Sequence, residues 1–179
     1  DVYKRQEKGF VEVNEYLESS EKDIYVAGDA TFIPFAPDHG KRPIALASNA
    51  RRQAVIAAKN LLHGNKMEMV EVSGTSGLAL FDYHFACTGV KDVDAKTIGK
   101  EVDSKYYEEQ ILPDFIQNPE TVHMKIHFEK DSHRIVGAQL MSKEPSVIMS
   151  INAISVAISA GWTLEQLALA DFFFQPEYD

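Results

Sequence analysis

Cysteine is nearly absent from this sequence, in which Cys87 is the only one among 179 residues. A disulfide framework inside the chain is therefore excluded. Long apolar runs are missing too, because the longest, residues 148–160, is interrupted by serine and asparagine and is too short to cross a bilayer. No signal-peptide pattern is found, and we expect a cytoplasmic protein that has no membrane partner.

Basic residues are also few. The chain has 18 lysines and arginines against 27 aspartates and glutamates, a formal net charge of −9. Such a charge repels phosphates and anionic headgroups, so we expect no nucleic-acid partner. What the sequence does contain is 45% hydrophobic residues, enough for one or two small cores.

A short apolar run ends in a glycine and a carboxylate. Residues 24–27 read Ile-Tyr-Val-Ala and are followed by Gly28 and Asp29. The run predicts a strand covered on both faces. A carboxylate at the end of such a strand can accept hydrogen bonds from the vicinal hydroxyls of a sugar or ribitol ligand. The alternative, commoner for an isolated Gly-Asp pair, is that Asp29 caps a turn or the following helix.

An alanine-rich helix is predicted after a loop. Pro43 suits the first turn of a helix, and the pattern continues over residues 44–62 until Gly64 ends it. The alanines give it small faces that permit close approach to a sheet or a planar ligand. Free N–H groups and partial positive charge at its N-terminus could stabilise an electron-rich ring edge or an oxyanion. A plain core helix is the alternative. Three basic residues are expected to face water: Arg51, Arg52 and Lys59.

The organisation changes after Asn65, where residues 66–69 read as a linker into a second unit. In that unit we predict strands at 78–87, 102–107, 122–129 and 134–140, a short helix at 94–99, and helices at 147–160 and from Thr163. Apolar and polar residues alternate in the third of these strands, which then turns into an antiparallel hairpin. Thr163 and Gln166 have capping-box spacing. The second unit is therefore α+β.

The first helix of that pair is apolar around most of its circumference. Its apolar residues include Ile148, Ile151, Ile154, Val156 and Ile158. We predict that a second subunit covers part of this surface. Ordinary burial within one chain explains the pattern equally well.

No catalytic or metal-binding set is predicted from the residues of this chain. His123 and His127 share one face of a strand without a third ligand nearby, and we expect them to face solvent. Cys87 lies in an apolar strand without a cationic neighbour, which favours a small buried hydrophobe over a reactive thiolate.

Several sequence blocks follow one another in a fixed order, at residues 9–13, 24–31, 44–50, 74–83, 137–143 and 170–176. Together they resemble the pyridine nucleotide-disulfide oxidoreductases, FAD-dependent enzymes, and in particular the NADH peroxidase and NADH oxidase branch. The resemblance implies that residues 1–65 are an α/β segment, the C-terminal part of a Rossmann-like FAD-binding domain. It implies that residues 72–179 are an α+β dimerisation domain with an antiparallel sheet, truncated at its C-terminus.

The same resemblance implies FAD as cofactor and NADH as co-substrate. Asp29 is expected to hydrogen-bond the FAD ribitol. Ala45, Leu46 and Ala47 are expected to approach the pyrimidine edge of the flavin through their backbone, and Gly77 is expected to lie near NADH. The family also implies a homodimer, or a higher homo-oligomer, that acts on a small-molecule oxidant.

One departure from the family pattern favours its single-cysteine branch. Dithiol members carry His-Pro near the C-terminus, where this chain has Phe174, Gln175 and Pro176. Within that branch we expect an NADH peroxidase that reduces hydrogen peroxide through flavin and a cysteine sulfenic acid, because residues 140–143, 151–155 and 172–176 resemble NADH peroxidases most. NADH oxidase and coenzyme A-disulfide reductase are the alternatives.

The chain contains neither the family's redox cysteine nor a Gly-x-Gly-x-x-Gly motif. We therefore expect a C-terminal fragment of a longer enzyme, truncated at both ends and inactive alone. An alternative from another class is an inactive stand-alone dimerisation module. Residues 1–6 do not resemble the family.

Overall fold

The computed structural model describes residues 9–110 and 119–173. They form two compact units. The first comprises the described residues up to Phe35 together with His39–Gly74, and the second comprises Ala36–Asp38 together with the described residues from Thr75 onward. The predictions made for residues 1–6 and 174–176 lie outside the described residues.

The first unit is built from short elements. A 3-10 turn at Gly28–Ala30 precedes β1 (Ile33–Phe35), which pairs antiparallel with β2 (Gly40–Arg42). Helix α1 (Ala47–His63) follows, and it ends at Gly64, whose φ of 78° lies in the left-handed region that glycine tolerates. The predicted helix end is confirmed.

The predicted buried strand over residues 24–27 is wrong. Tyr25 makes a single antiparallel bridge with Glu18, and Ile24 is 38% exposed. Within the described residues no second strand pairs along this run, so its backbone bonds go to nearby loop groups such as Leu17 O, which accepts from Val26 N at 2.9 Å. An apolar run becomes a covered strand only where neighbouring strands and helices supply the cover.

The predicted start of α1 is three residues too early, since the helix begins at Ala47 and Pro43 lies outside it. Leu46 is extended (φ −132°, ψ 129°), and its carbonyl accepts the first helical bonds, from Asn49 N and Ala50 N. An apolar residue at this position offers no side-chain acceptor. The sequence therefore carries no capping signal that would mark the start.

A compact apolar cluster forms the core of the first unit. Its buried members are Leu17, Ile33, Ile56, Met69 and Val72. Met69 is 5% exposed, and its N–H donates to Glu15 O at 2.7 Å. The interpretation of residues 66–69 as a linker is therefore wrong, because this segment packs into the first unit, which continues to Gly74.

The second unit contains a five-stranded antiparallel sheet in the order β3-β4-β7-β6-β5. Its strands are β3 (Ser76–Leu80), β4 (Tyr83–Gly89), β5 (Val102–Gln110), β6 (Thr121–Glu129) and β7 (Ile135–Ser142). The predicted β6–β7 hairpin is confirmed. The single strand predicted at 78–87 is instead the β3–β4 hairpin, which turns at Phe81 with a φ of 53°.

Among its described residues, three α-helices complete this unit: α2 (Pro145–Ile148), α3 (Ile151–Ser159) and α4 (Leu164–Ala168). The single helix predicted at 147–160 is divided, because residues 149 and 150 form a turn between α2 and α3. The capping box of Thr163 and Gln166 is confirmed. Among the described residues, no helix is both long and apolar enough to span a membrane.

Helix α3 packs its isoleucines on the sheet of its own unit. Ile151, Ile154 and Ile158 are at most 6% exposed and belong to the core cluster that also holds Ile135 and Leu140. Burial within one chain therefore accounts for these three positions. Val156, at 67% exposed, remains on the outer surface of the helix.

Candidate functional site

The predicted carboxylate stands on a turn that the helix behind it holds in place. Gly28 has a φ of 79°, and its N–H donates to Oε1 of Gln53 on α1 at 2.8 Å. A Cβ added to Gly28 would lie 3.6 Å from Cβ of Ala50. Asp29 is exposed to solvent in the middle of this turn. The turn replaces the predicted strand end as the support of the carboxylate.

The other end of the turn is anchored as well. Ala30 O accepts from Val11 N at 2.8 Å, and Oγ1 of the buried Thr31 donates to Val11 O at 2.9 Å. Hydrogen bonds thus fix the chain on both sides of Asp29. A carboxylate presented on a support held in this way needs little reorganisation to accept hydrogen bonds from a ligand.

The residues predicted to approach a flavin lie at the N-terminal end of α1. Ala45 and Ala47 are exposed, and Leu46 between them is half-buried. No side chain caps this end, and no acidic residue lies in its first turn. The first N–H groups of a helix are donors without intrahelical partners and carry a partial positive charge, which suits an anionic or electron-rich group.

Gly77 belongs to the second unit, on the edge strand β3. A Cβ at this position would lie 2.8 Å from Phe85 O, so pairing with β4 by itself requires glycine here. Gly77 also lines an open cavity of about 180 Å³ beside Leu78, Phe85 and Cys87. The cavity lining is mostly apolar, as in many small-molecule sites.

Two side chains of the second unit differ from expectation. His127 is 1% exposed rather than facing solvent, because the last four residues of β6 are buried on both faces of the strand. One ring nitrogen, Nε2, hydrogen-bonds Oε1 of Gln139 at 2.8 Å. Cys87 is half-buried, with its Sγ 3.3 Å from Oγ of Ser76. Within residues 9–110 and 119–173, no cluster of three or more potential metal ligands occurs.

Sequence reasoning missed the buried amides of α1. Asn49, Gln53 and Asn60 are at most 2% exposed and share the buried face with Ile56. Asn49, Gln53, Ile56 and Asn60 are separated by four, three and four residues, which is the spacing of one helix face. This spacing is the sequence signal that could have identified the buried amides. The alanines predicted close packing on other faces of the helix, but Ala47, Ala54 and Ala58 are exposed. The three basic residues of α1 are exposed, as predicted.

A buried carboxylate of the second unit was also missed. Glu129 is 5% exposed and accepts hydrogen bonds from Lys100 Nζ at 2.7 Å, Arg134 Nε at 3.0 Å and Ser132 Oγ. Burial alone would raise the pKa of Glu129, but these bonds outweigh it and lower the pKa to about 2. Arg134 in turn donates to Pro37 O. The cluster holds the turn after β6 and stabilises the fold.

Comparison with known proteins places both units in one group of enzymes. Residues 75–179 match the model of the pyridine nucleotide-disulphide oxidoreductase dimerisation domain. A protein named NADH oxidase from Enterococcus faecalis is 41% identical over 171 residues, which are 96% of this chain and 38% of that protein. A coenzyme A disulfide reductase from Staphylococcus aureus is 26% identical over 98% of this chain and 39% of that protein.

A solved structure gives the same result for the fold. The water-forming NADH oxidase from Lactobacillus brevis, determined with bound NADH, matches with a TM-score of 0.93 and 35% identity over 99% of this chain and 39% of that one. The chain thus spans about 38% of the length of the curated relatives it matches. The second unit, with its helices and antiparallel sheet, corresponds to the family's dimerisation domain. This chain belongs to the pyridine nucleotide-disulphide oxidoreductase family.

Proposed function

We propose that this chain forms part of an NADH oxidase, a flavoprotein that transfers electrons from NADH to dioxygen. Its first unit would be the C-terminal part of the FAD-binding domain, and its second unit the dimerisation domain. The observation that carries the proposal is the 41% identity with an NADH oxidase over 96% of the chain. Bound FAD would supply the hydride acceptance and electron transfer that amino-acid side chains do not offer.

The residues of the first unit fit a flavin in the chemistry of their donors and acceptors. Asp29 offers an exposed carboxylate, which suits the hydroxyls of a ribitol chain. The backbone of Ala45, Leu46 and Ala47 leads into an uncapped helix N-terminus, which suits the electron-rich pyrimidine edge of a flavin. In the second unit, Gly77 and the cavity beside it would contribute to the NADH side.

Peroxide is the second candidate oxidant. The resemblance of residues 140–143, 151–155 and 172–176 to NADH peroxidases supports that function. Three relatives that are 36% to 41% identical over 93% to 96% of the chain are named NADH oxidase, and this favours dioxygen. Coenzyme A disulfide is a third possibility, with 26% identity to the reductase named above.

The experiment compares the two oxidants in the full-length protein that contains this chain. A water-forming oxidase oxidises two NADH for each dioxygen consumed, since 2 NADH + 2 H⁺ + O₂ gives 2 NAD⁺ + 2 H₂O. We expect that ratio, without accumulation of hydrogen peroxide. NADH oxidation that needs added peroxide and proceeds without oxygen would establish the peroxidase and contradict the oxidase.

We also propose that the second unit associates with a second copy of the chain, because it matches a dimerisation domain. The outer surface of α3, where Val156 is 67% exposed, is the candidate contact. Val156→Lys should lower the mass measured by light scattering, whereas Val93→Lys, at an 82% exposed position in a turn, should leave it unchanged. An unchanged mass for Val156→Lys would exclude this surface. Ile154 is unsuitable for the test because it is buried in the core of its own unit.

A further inference from the structure

One buried side chain connects the two groups that the proposed function assigns to the flavin. Gln53 lies on α1, the helix whose N-terminal end carries Ala45, Leu46 and Ala47. Its Oε1 accepts the N–H of Gly28, the residue immediately before Asp29. The same side chain therefore touches the turn that presents the carboxylate and belongs to the helix that presents the N–H groups.

A glutamine at this buried position of α1 needs an explanation. Gln53 is 1% exposed, and burial of a side-chain amide among packed atoms costs free energy unless its hydrogen bonds are made. Methionine or leucine would fill a similar space without that cost. The bond to Gly28 is what glutamine adds, because its amide oxygen is an acceptor that leucine lacks and methionine offers only weakly.

The turn is bonded to α1 from this side. Gly28 has a φ of 79°, which glycine adopts without strain, and its N–H donates to Gln53 on α1 at 2.8 Å. The other side of the turn is held by Val11, which bonds both Ala30 and Thr31. Without the bond from Gln53, the nearest hydrogen bond on this side of the turn would be that of Val26 N to Leu17 O, two residues before Gly28.

We propose that Gln53 is a positioning residue for the flavin site: through the Gly28 N–H it fixes the distance between the Asp29 carboxylate and the N-terminus of α1. This inference rests on the proposed flavin role of Asp29. It assigns Gln53 no contact with the cofactor. The expected signature is a loss of FAD affinity that acts through Asp29.

The test measures the dissociation constant of FAD, by flavin fluorescence, in the full-length protein after FAD has been removed. Gln53→Met should weaken binding about two- to tenfold, the worth of one hydrogen bond. In a background that already carries Asp29→Asn, Gln53→Met should have little further effect, because coupled residues are not additive.

Asn60→Ala is the matched control. It removes a buried amide from the same helix face, but one that bonds Tyr16, Lys66 and Met67 and not the turn. It should lower stability and leave the FAD affinity of the folded protein unchanged. Equal losses of affinity in Gln53→Met and Asn60→Ala would overturn the proposal, as would full additivity with Asp29→Asn.

Two further outcomes separate this inference from the proposed function. If Asp29→Asn binds FAD as tightly as the parent, the proposed function of the turn fails. If Asp29→Asn weakens binding and Gln53→Met does not, only the positioning role fails. Should Gln53→Met not fold, amide exchange of the parent protein decides, since the Gly28 N–H should be protected before FAD is added. Rapid exchange of that N–H would contradict the bond on which the proposal depends.

Discussion

The two units are stabilised in different ways. In the second unit, five strands pair through backbone ladders around a core in which Ile135, Val136 and Ala138 are fully buried. In the first unit, the strands have three residues each, and isolated bridges join its loops. In the first unit, side-chain amides of α1 supply hydrogen bonds to the backbone where the second unit has strand ladders. Gln53 and Asn60 bond backbone groups of neighbouring loops.

The difference corresponds to what each unit is proposed to do. A repeating ladder gives a rigid surface, which suits a domain that associates with other copies. Loops held by single side chains can present individual groups such as Asp29 at defined positions, which suits a cofactor site. We therefore expect truncation of aliphatic side chains to cause the largest losses of stability in the second unit. In the first unit, we expect the largest losses from removal of single polar groups.

Truncation of a core isoleucine in the second unit should have the largest effect. Ile158 is 1% exposed on α3, so Ile158→Ala should cost about 2–5 kcal/mol through lost burial and a residual cavity. Trp162, the only tryptophan, packs against the same cluster, and its fluorescence in urea reports the loss. Val93→Ala, at an 82% exposed position, should change stability by less than about 0.5 kcal/mol.

A polar truncation should weaken the first unit almost as much. Asn60 is 1% exposed, and its amide makes four hydrogen bonds to backbone groups, with N···O distances of 2.8 to 3.1 Å. Asn60→Ala should cost about 3 kcal/mol, because buried groups lose their partners. Amide exchange of Lys66 and Met67 should accelerate accordingly. Unchanged exchange would contradict the role given to the amides, and exposed Lys59→Ala is the control.

The buried carboxylate of Glu129 should make the stability of the second unit depend on pH. The folded pKa of Glu129 is about 2 against 4.5 for a free glutamate, so its contribution is fully present above pH 4.5 and is lost as the pH falls toward 2. Glu129→Gln should cost about 2 kcal/mol at neutral pH. It should also flatten the loss of stability between pH 4.5 and 2, followed by Trp162 fluorescence. An equally steep loss in the variant would show that other carboxyl groups cause it.

The smallest effect concerns the start of α4. Thr163→Ala removes the hydroxyl that accepts from Gln166 N at 3.3 Å, and it should cost about 1 kcal/mol. Thr163→Ser keeps the hydroxyl and should cost clearly less. Urea unfolding followed by the adjacent Trp162 measures both, and equal losses would show that the methyl group matters more than the cap.

Local patterns predicted the second unit well. The alternation over residues 122–129 and the turn after it gave the β6–β7 hairpin, and the spacing of Thr163 and Gln166 gave the start of α4. Both signals act between residues close in sequence. The same alternation wrongly predicted that His127 faces solvent, because burial of that strand face depends on residues outside the strand.

The first unit was harder to predict because its structure depends on contacts between distant residues. The apolar run at 24–27 has no extended partner strand among the described residues, and Met69 is buried by residues far away in sequence. The buried face of α1 is formed mainly by polar residues, so no apolar stripe in the sequence predicts which face of the helix is buried. The position of Asp29 after an apolar run suggested a ligand role and the family resemblance specified the flavin, while Gln53, which holds its turn, became visible only in the structure.

The affinity for FAD after removal of one charge tests the proposed flavin site at the Gly28–Ala30 turn. Asp29→Asn and the control Glu21→Gln each remove one exposed carboxylate from the first unit. In the full-length protein freed of FAD, we predict that Asp29→Asn weakens FAD binding by about tenfold or more, the worth of a charge-assisted hydrogen bond. Glu21→Gln should bind FAD as the parent protein does. Equal affinities in all three proteins would contradict the assignment of the Gly28–Ala30 turn to the flavin site.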